Sequence, residues 1–269
     1  MYDIRIENDK WWEDKAGFFG STYLEADNSF DGFLSNNKEL STRTDEEING
    51  VIKLCQLKKK DAVLDCPCGY GRHSVSLAQK GLKVTGCDIN SEFLKICQEK
   101  KSSLNLENFQ TMRCKMQDLK IKNKYNAVIN MFYSFGFFED EKENIQTARN
   151  FYNSLKNDGK FLMHTHVTVP KFKKKLIKEF ELRNLKSGGK LELYRFFNEK
   201  TKREDGRWTV ISPEGERKEM THYSVRIYDT KEYTELCKEA GFKDVKFYGD
   251  WQGSPYKDES DLLIAVAEK

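Results

Sequence analysis

The chain has 269 residues, 38% hydrophobic and 33% charged, with a net charge of +3. Its 18 Phe, 12 Tyr and 4 Trp supply core material and exclude disorder as the main state. No apolar run approaches the ~20 residues of a membrane span, and the near-neutral balance lacks the basic excess of a nucleic-acid footprint.

Residues 1–40 are irregular and rich in aromatics: Trp11, Trp12, Phe18, Phe19, Tyr23, Phe30 and Phe33. Gly17, Gly20 and Gly32 interrupt any long helix, so this segment reads as a flap packed over something. Thr44 and Glu47 match an S/T-x-x-E capping box and predict a helix start. Ile48, Val51, Ile52 and Cys55 form its apolar face, and Lys58-Lys59-Lys60 suit its C-terminus. Ala62-Val63-Leu64 is a strand ending at Asp65. A turn through Gly69 and Gly71 opens a helix that stops at Gly81. Leu82–Cys87 is a second strand, ending at Asp88. Asn90 or Ser91 caps the next helix. A weaker strand is expected over Met112–Met116 and a fourth over Tyr125–Met131. A helix through Ile145, Ala148, Tyr152 and Leu155 closes at the turn Asp158-Gly159, before a fifth strand, Phe161–Val167.

Strand and helix thus alternate from 44 to 167, the pattern of a parallel sheet covered on both faces. A basic amphipathic helix is expected over 170–182, with Phe172, Leu176 and Phe180 on one side. Residues 189–228 read as antiparallel strands joined by turns at Glu204-Asp205-Gly206 and Pro213-Glu214-Gly215. Leu191, Leu193 and Arg195 alternate there with Glu192, Tyr194 and Phe196. Asp229 caps a last helix stopped by Gly241, and strands Asp244–Tyr248 and Leu262–Ala267 close the chain. The seven Cys are unevenly spaced, several inside apolar runs, and are expected to be reduced core thiols of a cytoplasmic protein. The polar, acidic start after Met1 shows no secretory signal.

The informative stretch is Val63–Asp88. A strand ends in an acid, a Gly-x-Gly turn opens a helix, and a second strand ends in another acid. Glycines let backbone approach a ligand, and a helix N-terminus presents free N–H groups to it. A carboxylate on the adjacent strand accepts ribose hydroxyls. The NAD fingerprint fails, because Ser74 stands where its third glycine belongs. No P-loop occurs.

Asp65-Cys-Pro-Cys-Gly-Tyr-Gly71 resembles motif I of class I S-adenosylmethionine-dependent methyltransferases, with Pro67 in place of one glycine. Val84–Asn90 is similar to their second motif, Met116-Gln-Asp-Leu119 to the third, Ala127–Gly136 to the fourth, and Lys156–Leu162 to the turn before the fifth strand. The resemblance implies an α/β fold. Its Rossmann-like sheet has seven mostly parallel strands with helices on both faces. An N-terminal lid (1–43) would precede a methyltransferase domain (44–269) with a small antiparallel β insertion at about 189–228. The implied cofactor is S-adenosyl-L-methionine, leaving S-adenosyl-L-homocysteine as product. Asp65, Gly69, Gly71, Asp88, Ile89, Gln117, Asp118, Asn130, Tyr23 and Arg43 would bind it, with Arg43 reaching its carboxylate.

In such a fold the acceptor lies above the ends of strands four and five. Trp12, Phe19, Tyr133, Phe135 and His164 would contact it. His164, His166 and Tyr133 are the catalytic candidates, one of the histidines as base, although a satisfied structural role suits both histidines better. A metal reading of His-x-His lacks further ligands, so no metal is expected. The [DN]-P-P-[YF] element of adenine and glutamine methyltransferases is missing at Asn130–Tyr133, and the only Pro-Cys, Pro67-Cys68, is on the wrong loop for cytosine chemistry. Lys171–Lys175 reads as a solvated helix face rather than a nucleic-acid contact. The expected reaction is direct displacement onto nitrogen or oxygen of a small molecule, with a homodimer possible through the insertion. A tRNA, protein or peptide acceptor, or a non-catalytic nucleoside-binding role, are the alternatives.

Overall fold

The structure, a computed structural model, describes residues 10–13, 17–28 and 39–269. Phe30, Gly32 and Phe33 lie outside the described residues. The elements run α1 (Ser21–Asn28), α2 (Leu40–Leu54), β1 (Ala62–Asp65), α3 (Arg72–Gln79), β2 (Lys83–Asp88), α4 (Ser91–Ser103) and β3 (Phe109–Arg113). A 3-10 turn at Met116–Asp118 leads to β4 (Tyr125–Asn130), α5 (Glu141–Ser154), β5 (Leu155–Thr165) and α6 (Val169–Lys173). Then come β6 (Phe180–Asn184), β7 (Lys190–Asn198), β8 (Arg203–Ile211), β9 (Arg217–Glu219), β10 (Tyr223–Arg226), α7 (Thr230–Ala240), β11 (Asp244–Tyr248) and β12 (Leu263–Glu268).

The main sheet has seven strands in the order β11-β12-β5-β4-β1-β2-β3. Only β12 runs against the others. Its inner strands β1, β2, β4 and β12 are buried on both faces, as a sheet covered by helices requires. Val63, Ala127 and Ile129 join one core with α2, α3 and α4. Leu64 and Val128 point the other way, toward α5, α7 and the second sheet. The parallel alternation, the Asn90 cap and the Asp229 cap agree with expectation: Asn90 accepts from Phe93 N–H, and Asp229 forms a capping box with Glu232.

Four local expectations are corrected. The Thr44–Glu47 box is not a cap: α2 begins at Leu40, and Thr44 Oγ1 donates to Leu40 O at 2.7 Å within the helix. Helix α2 also ends before the three lysines, which lie in the turn leading to β1. The helix expected over 170–182 stops at Lys173; Lys175 has φ +55°, and Leu176 and Phe180 are exposed rather than apolar-face residues. The Glu204-Asp205-Gly206 turn is the interior of β8, where Gly206 pairs with Tyr223. A Cβ at Gly206 would come within 2.5 Å of the Tyr223 ring, so this glycine serves a cross-strand contact and not a bend.

The second sheet, order β10-β8-β7-β6 with β9 also on β8, begins at Phe180, one strand ahead of residue 189. Arg203 staples it to the main domain. Its guanidinium donates to the carbonyls of Phe138 (3.0 Å), Phe137 (3.2 Å) and Gly136 (3.3 Å) on the loop after β4, while Nε donates to Ser224 Oγ at 2.7 Å. Removing it strands several buried acceptors at once. Arg203→Ala is expected to lose about 3–5 kcal/mol of stability in urea unfolding, and Arg203→Lys to recover under half, because an ammonium cannot span the set. A loss below about 1 kcal/mol would rule the staple out.

Candidate active site

The ends of β1, β2 and β4 open into a cleft of about 870 Å³, part of it open to solvent. Its floor is the turn between β1 and α3. Gly69 (φ +53°) and Gly71 (φ +79°) take left-handed backbone, and a Cβ on Gly71 would meet Cys97 Sγ at 2.6 Å. Asp88, at the end of β2, accepts from Gly69 N–H (2.8 Å) and Asn90 N–H (2.9 Å). Asn90 in turn donates to Phe19 O at 2.8 Å, which ties the N-terminal segment to the cleft. Asp65 is fully buried and takes the Ser74 hydroxyl at 2.6 Å, locking the first turn of α3 to the strand.

Beside the cleft, Glu47 of α2 is buried against Arg72 and against His73 Nε2 at 2.8 Å. Burial pushes its carboxyl up, but Arg72 and His73 outweigh burial and hold it well below the usual range. Burial, helped by Arg72, lowers His73 to about 4, so a neutral ring donates Nε2–H to an ionised Glu47.

After β4 the backbone turns sharply: Phe132 (φ +62°) and Tyr133 (φ +45°) are consecutive left-handed residues without a glycine. His164 on β5 holds this turn. Its Nδ1 accepts Phe132 N–H at 3.2 Å and its carbonyl accepts Tyr133 N–H at 2.7 Å. The turn places Phe132 beneath the guanidiniums of Arg43 and Arg72, at 5.2 and 5.8 Å.

Cleft and second sheet meet in an aromatic chamber of about 410 Å³. Trp11, Phe18, Trp208 and Tyr223 line its far side. Phe19, Tyr23, Phe132, Ser134 and Phe137 line both spaces, so the two are neighbours across a shared wall. Trp11 is anchored by its Nε1–H to Ser224 O at 3.2 Å.

Of the residues the sequence nominates, Gly69, Asp88, Ile89, Gln117, Tyr23, Trp12 and Phe19 line the cleft, and Tyr133 lines the chamber. The others do not. Asp118 is exposed on the 3-10 turn, and its neighbour Gln117 faces the cleft instead. Asn130 is buried beneath, donating to Cys66 O at 2.9 Å. Arg43 packs on Glu47 and Phe132, while Arg72, which the sequence reading passes over, lines the cleft. Phe135 packs in the core against Phe161 and Tyr228. Neither His164 nor His166 lines either space; His164 lies against Trp251, and His166 between Phe132 and Tyr133. The sequence reading also omits Tyr70, Phe93, Phe137 and Phe138. Phe137 and Phe138 carried a usable signal, an apolar run just past the fourth strand.

These buried histidines set an acid limit. Burial lowers His164 to about 3 and holds His166 well below its usual 6.5. With His73 near 4, all three are neutral when folded and gain protons on unfolding below pH 6.5. The unfolded chain then binds more protons, so stability falls as pH drops from 6.5 toward 4. Asp65, raised to about 7 by burial, opposes this in part because it holds a proton when folded. The expected result is a melting temperature that declines across this window; one that rises on acidification contradicts it.

The methyltransferase-domain family matches residues 57–241, from before β1 to the end of α7. Glycine/sarcosine N-methyltransferase of Aphanothece halophytica is 27% identical over 256 residues, covering 89% of this chain and 89% of that protein. The CcbJ methyltransferase of Streptomyces caelestis has the same fold, with a TM-score of 0.71 at 16% identity over 83% of this chain and 94% of that one. CalS10, an amino pentose methyltransferase from Micromonospora echinaspora solved with SAM bound, gives a TM-score of 0.61 at 16% identity over 86% and 92% of the two chains.

Proposed function

The chain belongs to the methyltransferase-domain family, and from that premise we propose that it methylates a nitrogen or oxygen of a small molecule held in the aromatic chamber. Its cofactor is S-adenosylmethionine, which supplies a methyl group on a sulfonium and leaves as a thioether while the acceptor atom gains the methyl. The observation that carries this reading is the shared aromatic wall, which sets a ring-lined space beside a nucleoside-type cleft. Nitrogen is favoured by the activity named for one relative, a glycine/sarcosine N-methyltransferase.

The residues present fit the cofactor. Asp88 would take the ribose hydroxyls while keeping its two backbone donors, since each carboxylate oxygen accepts more than one bond. The Gln117 side-chain oxygen is buried without a partner among the described residues and would take the adenine amino group. Arg72, at the first turn of α3, would hold the amino-acid carboxylate in place of Arg43. Residues 1–43 would serve as the lid, with Trp12, Phe19 and Tyr23 excluding water from both reactants. The rings of Phe132 and Phe137 stand in the wall the two spaces share and would set the approach of the acceptor.

The test is transfer of a labelled methyl from S-adenosylmethionine to pools of small amines, small alcohols, tRNA and cell protein. Label is expected in a small amine. Label found only in tRNA or protein overturns the reading.

A further inference from the structure

The chamber narrows the acceptor, given the reading above that the acceptor sits there. Nine of its eleven lining residues are aromatic, and among the described residues no lysine or arginine lines it. Ring faces attract a cation. A carboxylate placed there would lose its water and gain no positive partner. The nearest lining cations, Arg72 and Lys115, belong to the cleft, where they pair with Glu47 and Glu13.

Behind the rings lies an acid that folding alone does not explain. Tyr223 lines the chamber and donates its hydroxyl to Glu204 Oε1 at 2.8 Å. Glu204 is fully buried, and its Oε2 has no partner among the described residues. Arg195 acts on it from a distance but bonds Glu181 at 2.9 Å, a carboxylate also held by Arg183 at 2.7 Å. Burial raises the Glu204 carboxyl, and Arg195 and the Tyr223 hydroxyl pull it back down. A cation in the chamber would act in the same sense as Arg195.

We propose that the chamber takes an amine carrying no carboxylate, and that Glu204, acting through Tyr223, is the positioning residue that favours positive charge on its nitrogen. The acceptor class therefore differs from the glycine and sarcosine of the relative with which this chain shares 27% identity, since both of those acceptors carry an acid. The bound ammonium first gives up a proton to water, exposing its lone pair, and methyl transfer then moves positive charge out of the cleft and onto the chamber nitrogen. The same carboxylate thus favours the bound ammonium and the methylated product.

Three probes of one shape test this on the full chain loaded with S-adenosylhomocysteine: choline, its uncharged isostere 3,3-dimethylbutan-1-ol, and glycine betaine, which adds a carboxylate. Binding is read by calorimetry and by tryptophan fluorescence, because Trp11 and Trp208 line the chamber. Choline is expected to bind at least about tenfold tighter than either of the others, as a cation–π site requires. Glu204→Gln should cut that preference at least about threefold, the rings keeping the rest, with S-adenosylhomocysteine affinity unchanged. Tyr223→Phe, which keeps the ring but removes the hydroxyl that links Glu204 to the chamber, should weaken the preference in the same direction while the uncharged isostere binds as in wild type, which separates loss of that link from loss of packing. Betaine binding as well as choline, or the isostere binding equally, overturns the inference and leaves the small-molecule reading standing. If S-adenosylhomocysteine binds and none of the three probes does, both fall.

Discussion

Asp88→Ala is expected to weaken S-adenosylhomocysteine binding by at least about 100-fold in calorimetry while the far-ultraviolet circular dichroism stays native. Two charge-assisted hydrogen bonds to ribose, at about 1.5–3 kcal/mol each, account for that factor by themselves. The loss also spreads. Gly69 N–H and Asn90 N–H lose their acceptor, so the glycine turn and the loop that caps α4 both loosen. Asn90 holds Phe19 O, so the N-terminal segment loses an anchor as well. Asp88→Asn keeps one acceptor oxygen and should fall between the two. A dissociation constant within tenfold of wild type for Asp88→Ala would remove Asp88 from the site.

His164→Ala should lower kcat/KM about 100-fold and leave S-adenosylhomocysteine affinity within about threefold, a misplacement effect rather than lost chemistry. The substitution takes the acceptor from Phe132 N–H, in a turn whose left-handed residues cost about 1–3 kcal/mol each. Once the turn relaxes, Phe132 and Tyr133 no longer hold their places between cleft and chamber. His164→Asn discriminates the roles, because an asparagine oxygen can occupy the place of Nδ1 and accept the same N–H. Recovery to within about tenfold of wild type identifies a positioning residue. If Asn is as inactive as Ala, and the wild-type rate titrates with a histidine-like pKa near 6–7, His164 is a base and the turn argument is wrong. Burial lowers His164 to about 3, so no such step is expected.

The sequence carried the frame of this site because its signals are local. Strand, glycine turn, helix and Asp88 occupy one short stretch, and each constrains the next. The Asn90 and Asp229 caps were legible for the same reason. The misses at the site are mostly long-range. Thr44 and Glu47 match a capping box, and nothing nearby reveals that Glu47 is needed by Arg72 and His73 on another helix. Asp118 and Gln117 are adjacent, and only the direction of the 3-10 turn, held by Asn150 on the Met116 and Gln117 carbonyls, decides which one faces inward. Gly206 looks like a turn until Tyr223 is seen to cover it. Paired histidines on one strand face suggested catalysis, whereas the structure uses one of them to brace a neighbouring loop.

On the proposed reading, cofactor and acceptor are given to separate sheets. Asp88, the glycine turn and Gln117 stand on the main sheet, while Trp208, Tyr223 and Glu204 stand on β8 and β10, and the two groups meet only through a common wall of rings. Substitutions on β7, β8 and β10 can therefore drift without eroding the nucleoside cleft, provided Arg203 keeps the sheets in register. Lineages sharing this plan would be expected to diversify in what they modify while inheriting how they are powered. A mutagenesis library restricted to residues 190–226 is the place to look for that drift in the laboratory.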